Sequence, residues 1–135
     1  MVPPMYEQET QGVVVRVEPQ FLPEESEPDE NRFVWAYTIE IENRSAETVQ
    51  LLSRYWRIMD ENGLTQEVRG PGVVGKQPVL PPGASFRYTS ACPLGAPSGV
   101  MVGVYSMLRV ADGGEFDIAV PAFPLDSPHQ SKMAN

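Results

Sequence analysis

The sequence predicts an all-β fold: about seven short antiparallel strands packed as a two-sheet sandwich, with a small barrel as the alternative. Three observations carry this. Apolar residues alternate with polar ones in several blocks, which is the period of a strand with one buried face. Fourteen prolines and eleven glycines are spread along the chain and punctuate it about every ten residues, the spacing of short strands joined by turns. No stretch shows a convincing helical period with caps.

Residues 1–11 are polar and are expected to form a flexible N-terminal segment ahead of a sandwich domain spanning 12–125. Val13, Val15 and Val17 alternate with Val14, Arg16 and Glu18, giving a first half-buried strand that stops at Pro19. Residues 23–31 hold Glu24, Glu25, Glu27, Asp29 and Glu30, five carboxylates in seven positions, and read as an acidic surface loop. A metal site is the sharper reading, but the glycine-centred spacing of a calcium loop is absent. From Arg32 to Asn43 the period of two is clearest. Phe33, Trp35, Tyr37, Ile39 and Ile41 share one face, Thr38, Glu40 and Glu42 the other, so this is a central strand with Trp35 in the core.

Residues 49–59 form the next strand, rich in β-branched and aromatic residues. Asp60-Glu61-Asn62-Gly63 then supplies a hairpin turn, because Asn-Gly readily takes positive φ angles, and 64–69 returns alongside. Pro81-Pro82-Gly83 turns the chain into a strand over 85–90, followed by a loop over 92–99. Residues 100–110 alternate again. Asp112-Gly113-Gly114 closes a hairpin to Phe116, Ile118 and Val120, and Pro121 and Pro124 place this last strand at a sheet edge. Residues 126–135 read as a polar C-terminal tail.

Between the strands over 49–59 and 85–90 lies a glycine-rich stretch, Gly70-Pro71-Gly72-Val73-Val74-Gly75-Lys76. It matches the glycine spacing of a dinucleotide fingerprint and most of a phosphate loop. Both mechanisms need a helix to begin after the glycines, because unpaired N-terminal N–H groups hold the phosphate. Pro78, Pro81, Pro82 and Gly83 forbid one, and Gln77 stands where a magnesium-ligating Ser or Thr is required. Two readings remain. The N–H groups of Gly70, Gly72, Val73, Val74 and Gly75 form an anion nest with Lys76 adding charge, or the glycines supply positive φ for a tight connection.

Composition excludes several classes. The net charge of −8 opposes nucleic-acid and anionic-membrane binding, which rely on cationic patches. No apolar run approaches the roughly 18 residues needed to span a bilayer, and no signal peptide is visible at the N-terminus. Cys92, the sole cysteine, forms no internal disulfide and fits a reducing compartment. The expected location is the cytoplasm. Catalysis finds no candidate: the single histidine, His129, sits near the C-terminus, and no carboxylate pair stands out. No metal or cofactor site is predicted. Arg54, Tyr55, Trp56 and Arg57 set cations beside aromatics on one strand, a composition enriched in protein interface hot spots. Because Tyr55 and Trp56 fall on opposite faces, one of them is expected at the surface.

Taken together, residues 32–39 (Arg-Phe-Val-Trp-Ala-Tyr-Thr-Ile), residues 49–56, Gly72-Val73-Val74-Gly75 with Gln77-Pro78, Pro82-Gly83, Tyr88-Thr89-Ser90, and Phe116 with Ile118, Pro121 and Phe123 resemble the bacterial ApaG family. The blocks occur in the family's order from about Val13 to Leu125. The resemblance implies an immunoglobulin-like, fibronectin type III-like sandwich and a link to cobalt resistance and magnesium efflux. Related domains in eukaryotic F-box proteins and in a DNA polymerase delta-interacting protein imply an interaction module. Pro71, Ala91, Ala96 and Tyr55 depart from the residues usual in the family at those places, and Pro71 removes one N–H from any anion nest. The function expected is a non-enzymatic binding module, linked to ion efflux only through a protein partner or regulatory ligand. The alternative is a phosphate or nucleotide sensor. Either acts as a monomer or homodimer.

Overall fold

The computed structural model describes residues 5–129. Nine strands follow in order: β1 (Tyr6–Thr10), β2 (Val13–Phe21), β3 (Phe33–Asn43), β4 (Val49–Asp60), β5 (Thr65–Pro71), β6 (Val79–Leu80), β7 (Ser85–Leu94), β8 (Gly99–Arg109) and β9 (Glu115–Leu125). They build two antiparallel sheets, ordered β1-β2-β3-β7 and β5-β4-β8-β9, with β6 beside the start of β4. This is an immunoglobulin- or fibronectin type III-like sandwich. No helix is long and apolar enough to cross a membrane among the described residues.

The alternation read from sequence fills the space between the sheets. Val13, Val15, Val17, Trp35, Ile39 and Ile41 of the first sheet are buried against Leu51, Trp56, Met101, Tyr105, Met107 and Ile118 of the second. Full burial of an aliphatic or aromatic side chain is worth about 1.5–3 kcal/mol, so this double layer dominates the stability. Asn43 is fully buried and acts as a polar clasp. Its Nδ2 donates to the Glu47 and Leu80 carbonyls at 2.7 and 2.8 Å, while its Oδ1 accepts from the Ser45 N–H and hydroxyl. That fixes the 43–48 turn and brings β6 to β4.

Several expectations are corrected. Residues 6–10, expected to be loose, form β1, pairing from Tyr6 opposite Val17 to Thr10 opposite Val13; the sequence hides this edge strand because Glu7, Gln8 and Glu9 face solvent. Residues 1–4 and 130–135, assigned to the flexible segment and the tail, lie outside the described residues. β2 continues through Pro19 to Phe21. Leu22 donates its N–H to the Val34 carbonyl, so by alternation the Pro19 nitrogen faces away from β3, and no β2–β3 ladder bond is lost. β7 likewise runs through Pro93 to Leu94 rather than ending at residue 90; among the described residues its outer side is a free edge. Residues 126–129 pack instead of starting a tail: the Asp126 carbonyl accepts from the Trp35 indole N–H at 2.8 Å, and His129 stacks against Phe21 and Phe33. The strands over 33–43, 49–60 and 99–109, the 60–63 turn and the edge position of β9 agree with the sequence reading.

The two sheets do not meet equally on both sides. β9 packs across β1 and β2, and Thr10 Oγ1 accepts the Ala119 N–H at 3.3 Å. On the opposite side the outer strands are β7 and β5, and between them the sandwich gapes.

Candidate functional site

A β-bulge decides what lines that gap. In the pairing of β4 with β8 the register shifts between Leu51 and Ser53, and a bulge of one residue reverses which side chains face inward. Val49 and Leu51 point into the core before it; Arg54, Trp56 and Ile58 do so after it. Continued alternation from Val49 would have turned Tyr55 inward and Trp56 outward. Trp56 is therefore core, 3% exposed, with edge-on contacts to Tyr37, Tyr105 and Phe123 at centroid distances of 5.6, 6.1 and 6.1 Å. Gly103 lies opposite it because a Cβ there would come within 2.6 Å of the indole ring.

Tyr55 is the outward aromatic, half-buried under its neighbours. Arg69 lies 4.3 Å above its ring centroid, and its hydroxyl donates to Glu67 at 2.9 Å. That hydrogen bond, followed by partial desolvation, raises the phenol above its ordinary value. Arg57 is exposed on the same outer face. The four residues of the predicted interaction strand thus divide: Tyr55 and Arg57 face solvent, Arg54 and Trp56 face the gap.

The glycine-rich stretch also divides. Gly70 belongs to β5, opposite Arg54, where a Cβ would stand 2.9 Å from the Arg54 guanidinium and displace that flexible group. Gly72 donates its N–H to the Leu52 carbonyl at 2.8 Å. Val73 and Lys76 close a two-residue turn by exchanging N–H to carbonyl bonds of 2.8 and 2.9 Å, with φ of +44° at Val74 and +78° at Gly75. Both central residues are left-handed, as in the hairpin turns that favour Asn-Gly. A valine there is strained, because its β-branch crowds the backbone. Two of the five N–H groups assigned to an anion nest, those of Gly72 and Val73, are bonded within the protein, and Gly70 stands in a ladder. Lys76 is exposed on the turn.

Arg54 brings the two predicted sets together. Its Nη1 donates to the carbonyls of Pro71 and Gly72 at 3.0 and 2.9 Å, so the strand arginine anchors the glycine stretch. The guanidinium stands where two lobes of the gap meet. One lobe, of about 260 Å³, is lined chiefly by Trp56, Ile58, Val68, Cys92 and Met101; the other, of about 180 Å³, lies beneath Val73 to Gly75 and beside Tyr88. Tyr37, Arg54, Trp56 and Ser90 border both. The Tyr88 and Tyr105 hydroxyls share a hydrogen bond of 2.5 Å, and burial pushes both phenols above their ordinary value. Burial likewise raises the Tyr37 phenol, with a hydrogen bond from Ser90 working against it. The cleft therefore offers neutral hydroxyls and one cation.

Burial pushes the Cys92 thiol up to about 11, away from a nucleophilic thiolate. Among the described residues no group of three His, Cys, Asp or Glu side chains is gathered to hold a metal ion. The acidic segment folds as two exposed 3-10 turns over Pro23–Glu25 and Pro28–Glu30. Sequence reasoning missed Tyr37, Tyr88, Ser90 and Val68 as cleft residues. The first three sit at alternating positions of β3 and β7 that read as ordinary core.

A sequence profile described as the ApaG domain matches residues 23–109. Protein ApaG of Brucella suis biovar 1 is 58% identical over 131 residues, covering 97% of this chain and 100% of the relative. Protein ApaG of Methylorubrum extorquens is 57% identical over 132 residues with the same coverage. A crystal structure from Bordetella pertussis, 40% identical, superimposes with a TM-score of 0.83 over 96% of this chain and 100% of that one. A second X-ray structure, 32% identical, gives 0.83 over 95% and 96%.

Proposed function

Because the chain belongs to the ApaG domain family, we propose that it is a non-enzymatic binding module that works through protein contacts at the open side of its sandwich. The observation that carries this is the cleft between the free edges of β5 and β7, floored by Trp56 and Tyr37 and rimmed by Val68 and Val74, which are 38% and 52% exposed. Free strand edges beside apolar pockets are what extended segments of partner proteins use. Arginine and tryptophan are the side chains on which interface energy concentrates. The module acts in the cytoplasm, and the link to cobalt resistance and magnesium efflux runs through the partner.

The phosphate-sensor reading draws less support, since the Gly72 and Val73 N–H groups already have acceptors and Lys76 does not border the cleft. The test is site-specific photocrosslinking in cells. A benzophenone side chain at Val68 or Val74 is expected to give a discrete adduct with one partner, and the same group at the exposed Val110 none. Adducts of equal yield at all three positions, or none at the first two, overturn the reading.

A further inference from the structure

We infer that the cleft receives the C-terminal carboxylate of an extended polypeptide whose last side chain is apolar, with Arg54 as the counter-charge. This rests on the reading of the cleft as a protein-contact surface and names the chemistry of what it contacts. Arg16, Arg44, Arg69 and Arg109 each lie within ion-pair distance of a carboxylate. Arg32, Arg57, Lys76 and Arg87 are exposed and have water for a partner. Among the described cations Arg54 alone is sheltered without a carboxylate. The chain has eighteen acidic residues, yet neither lobe is lined by one.

The Arg54 guanidinium is half-buried and among the described residues has no counter-ion, so a carboxylate brought by a ligand can pair with it. The Pro71 and Gly72 carbonyls orient it through Nη1 but do not neutralise it. Nη2 and Nε remain, the forked pair of donors that a carboxylate takes in two parallel hydrogen bonds. Tyr37 and Ser90 border the same point with hydroxyls. The lobe of Trp56, Ile58, Val68 and Met101 opens directly beside it, at a volume of about 260 Å³, enough for one aliphatic or aromatic side chain.

Charge and an apolar side chain at that spacing describe the last residue of a chain. The rim supplies the remainder of the recognition. Gly72 donating to Leu52 sets the ladder so that Glu67 and Arg69 turn their N–H and carbonyl groups outward, free to pair with an incoming strand. A phosphate dianion fits less well, because the lobes offer a single cation.

The test uses the full chain labelled with 15N and an N-acetylated pentapeptide ending in leucine, prepared as the free acid and as the C-terminal amide. The Arg54 side-chain and Trp56 indole signals are followed. The acid is expected to give saturable shifts and the amide to bind at least about tenfold more weakly, the loss of a charge-assisted pair. Arg54→Met should abolish the difference. Val68→Glu, which leaves Arg54 in place and sets an internal carboxylate on the rim, should abolish binding with the fold intact.

Equal affinity for acid and amide overturns the inference, as does unchanged binding by Val68→Glu, or no saturable shift at millimolar peptide. N-acetyl-leucine or inorganic phosphate binding as tightly as the peptide also overturns it, in favour of a small acid or a phosphate. If crosslinks at Val68 persist while acid and amide bind alike, the carboxylate inference alone fails. If those crosslinks are absent, the protein-contact reading fails with it.

Discussion

Two sheltered arginines of this sandwich are handled in opposite ways. Arg16, on the outer face of the first sheet, has a side chain only 18% exposed and spends all three guanidinium nitrogens on carboxylates: Nε on Glu7 at 2.7 Å, Nη1 on Glu40 at 2.8 Å and Nη2 on Glu42 at 2.9 Å. The hydrogen bonds to Glu7 and then Glu42 hold its pKa well above the ordinary arginine value. Glu7 and Glu40 are its cross-strand partners on either side, so strand register itself supplies the counter-charge. Arg54 faces the inside of the second sheet and meets only backbone carbonyls. A charge that the fold satisfies is structural; a charge that the fold shelters and leaves unmatched is available to a ligand.

Replacement of each arginine should separate the two roles. Arg16→Met leaves Glu7, Glu40 and Glu42 converging without a cation and should lower unfolding free energy by about 2 kcal/mol, below the cost of breaking a fully buried pair because the cluster is partly solvated. Arg54→Met frees two carbonyls at a solvent-facing turn and should cost about 1 kcal/mol. Urea midpoints measure both, and equal losses would make Arg54 a structural residue like Arg16. A smaller effect is expected from Gly70→Ala. The new methyl pushes the flexible guanidinium aside, changing stability by well under about 1 kcal/mol while shifting the Arg54 side-chain NMR signals and weakening peptide binding.

The smallest effect sharpens the contrast by pH. Hydrogen bonds from Arg44 and then Arg16 hold the Glu42 carboxyl below its usual value of 4.5. A depressed carboxyl stabilises the folded state at pH values above 4.5, and that contribution is lost as pH falls through its folded-state value. The stability difference between the native chain and Glu42→Gln should therefore shrink on acidification below 4.5. The difference between the native chain and Arg54→Met should stay level over the same range, because no Asp or Glu side chain lines the cleft around Arg54. Urea midpoints at successive pH values distinguish the two slopes.

Much of the fold was written in strand periodicity. Residues 33–43 alternate without a break because both neighbours of β3 pair along its length. What the sequence concealed was local. β1 has few apolar residues because one edge and one face meet water, and Pro19 reads as a stop only until the direction of its nitrogen is known. The site was half legible. Arg54 and the glycine stretch were both singled out, but their meeting depends on a bulge after Leu51, and one inserted residue leaves no mark in composition. For the same reason sequence could say that either Tyr55 or Trp56 is exposed, but not which one. The glycines resembled a phosphate loop because close backbone approach and positive φ demand glycine whatever the purpose. Here Gly70 makes room for a guanidinium and Gly75 completes a turn.

The uneven closure of the two sheets has a dynamic consequence. β9 lies against β1 and β2, whereas among the described residues β5 pairs with β4 only and has no buried residue. Such a strand opens without the core opening, since few apolar contacts are lost when it lifts. Amide exchange should therefore be fastest in β5 and slowest in β3 and β8, and the width of the cleft can fluctuate at a free-energy cost far below that of unfolding. The wall that a partner would meet can therefore move toward it without the core opening.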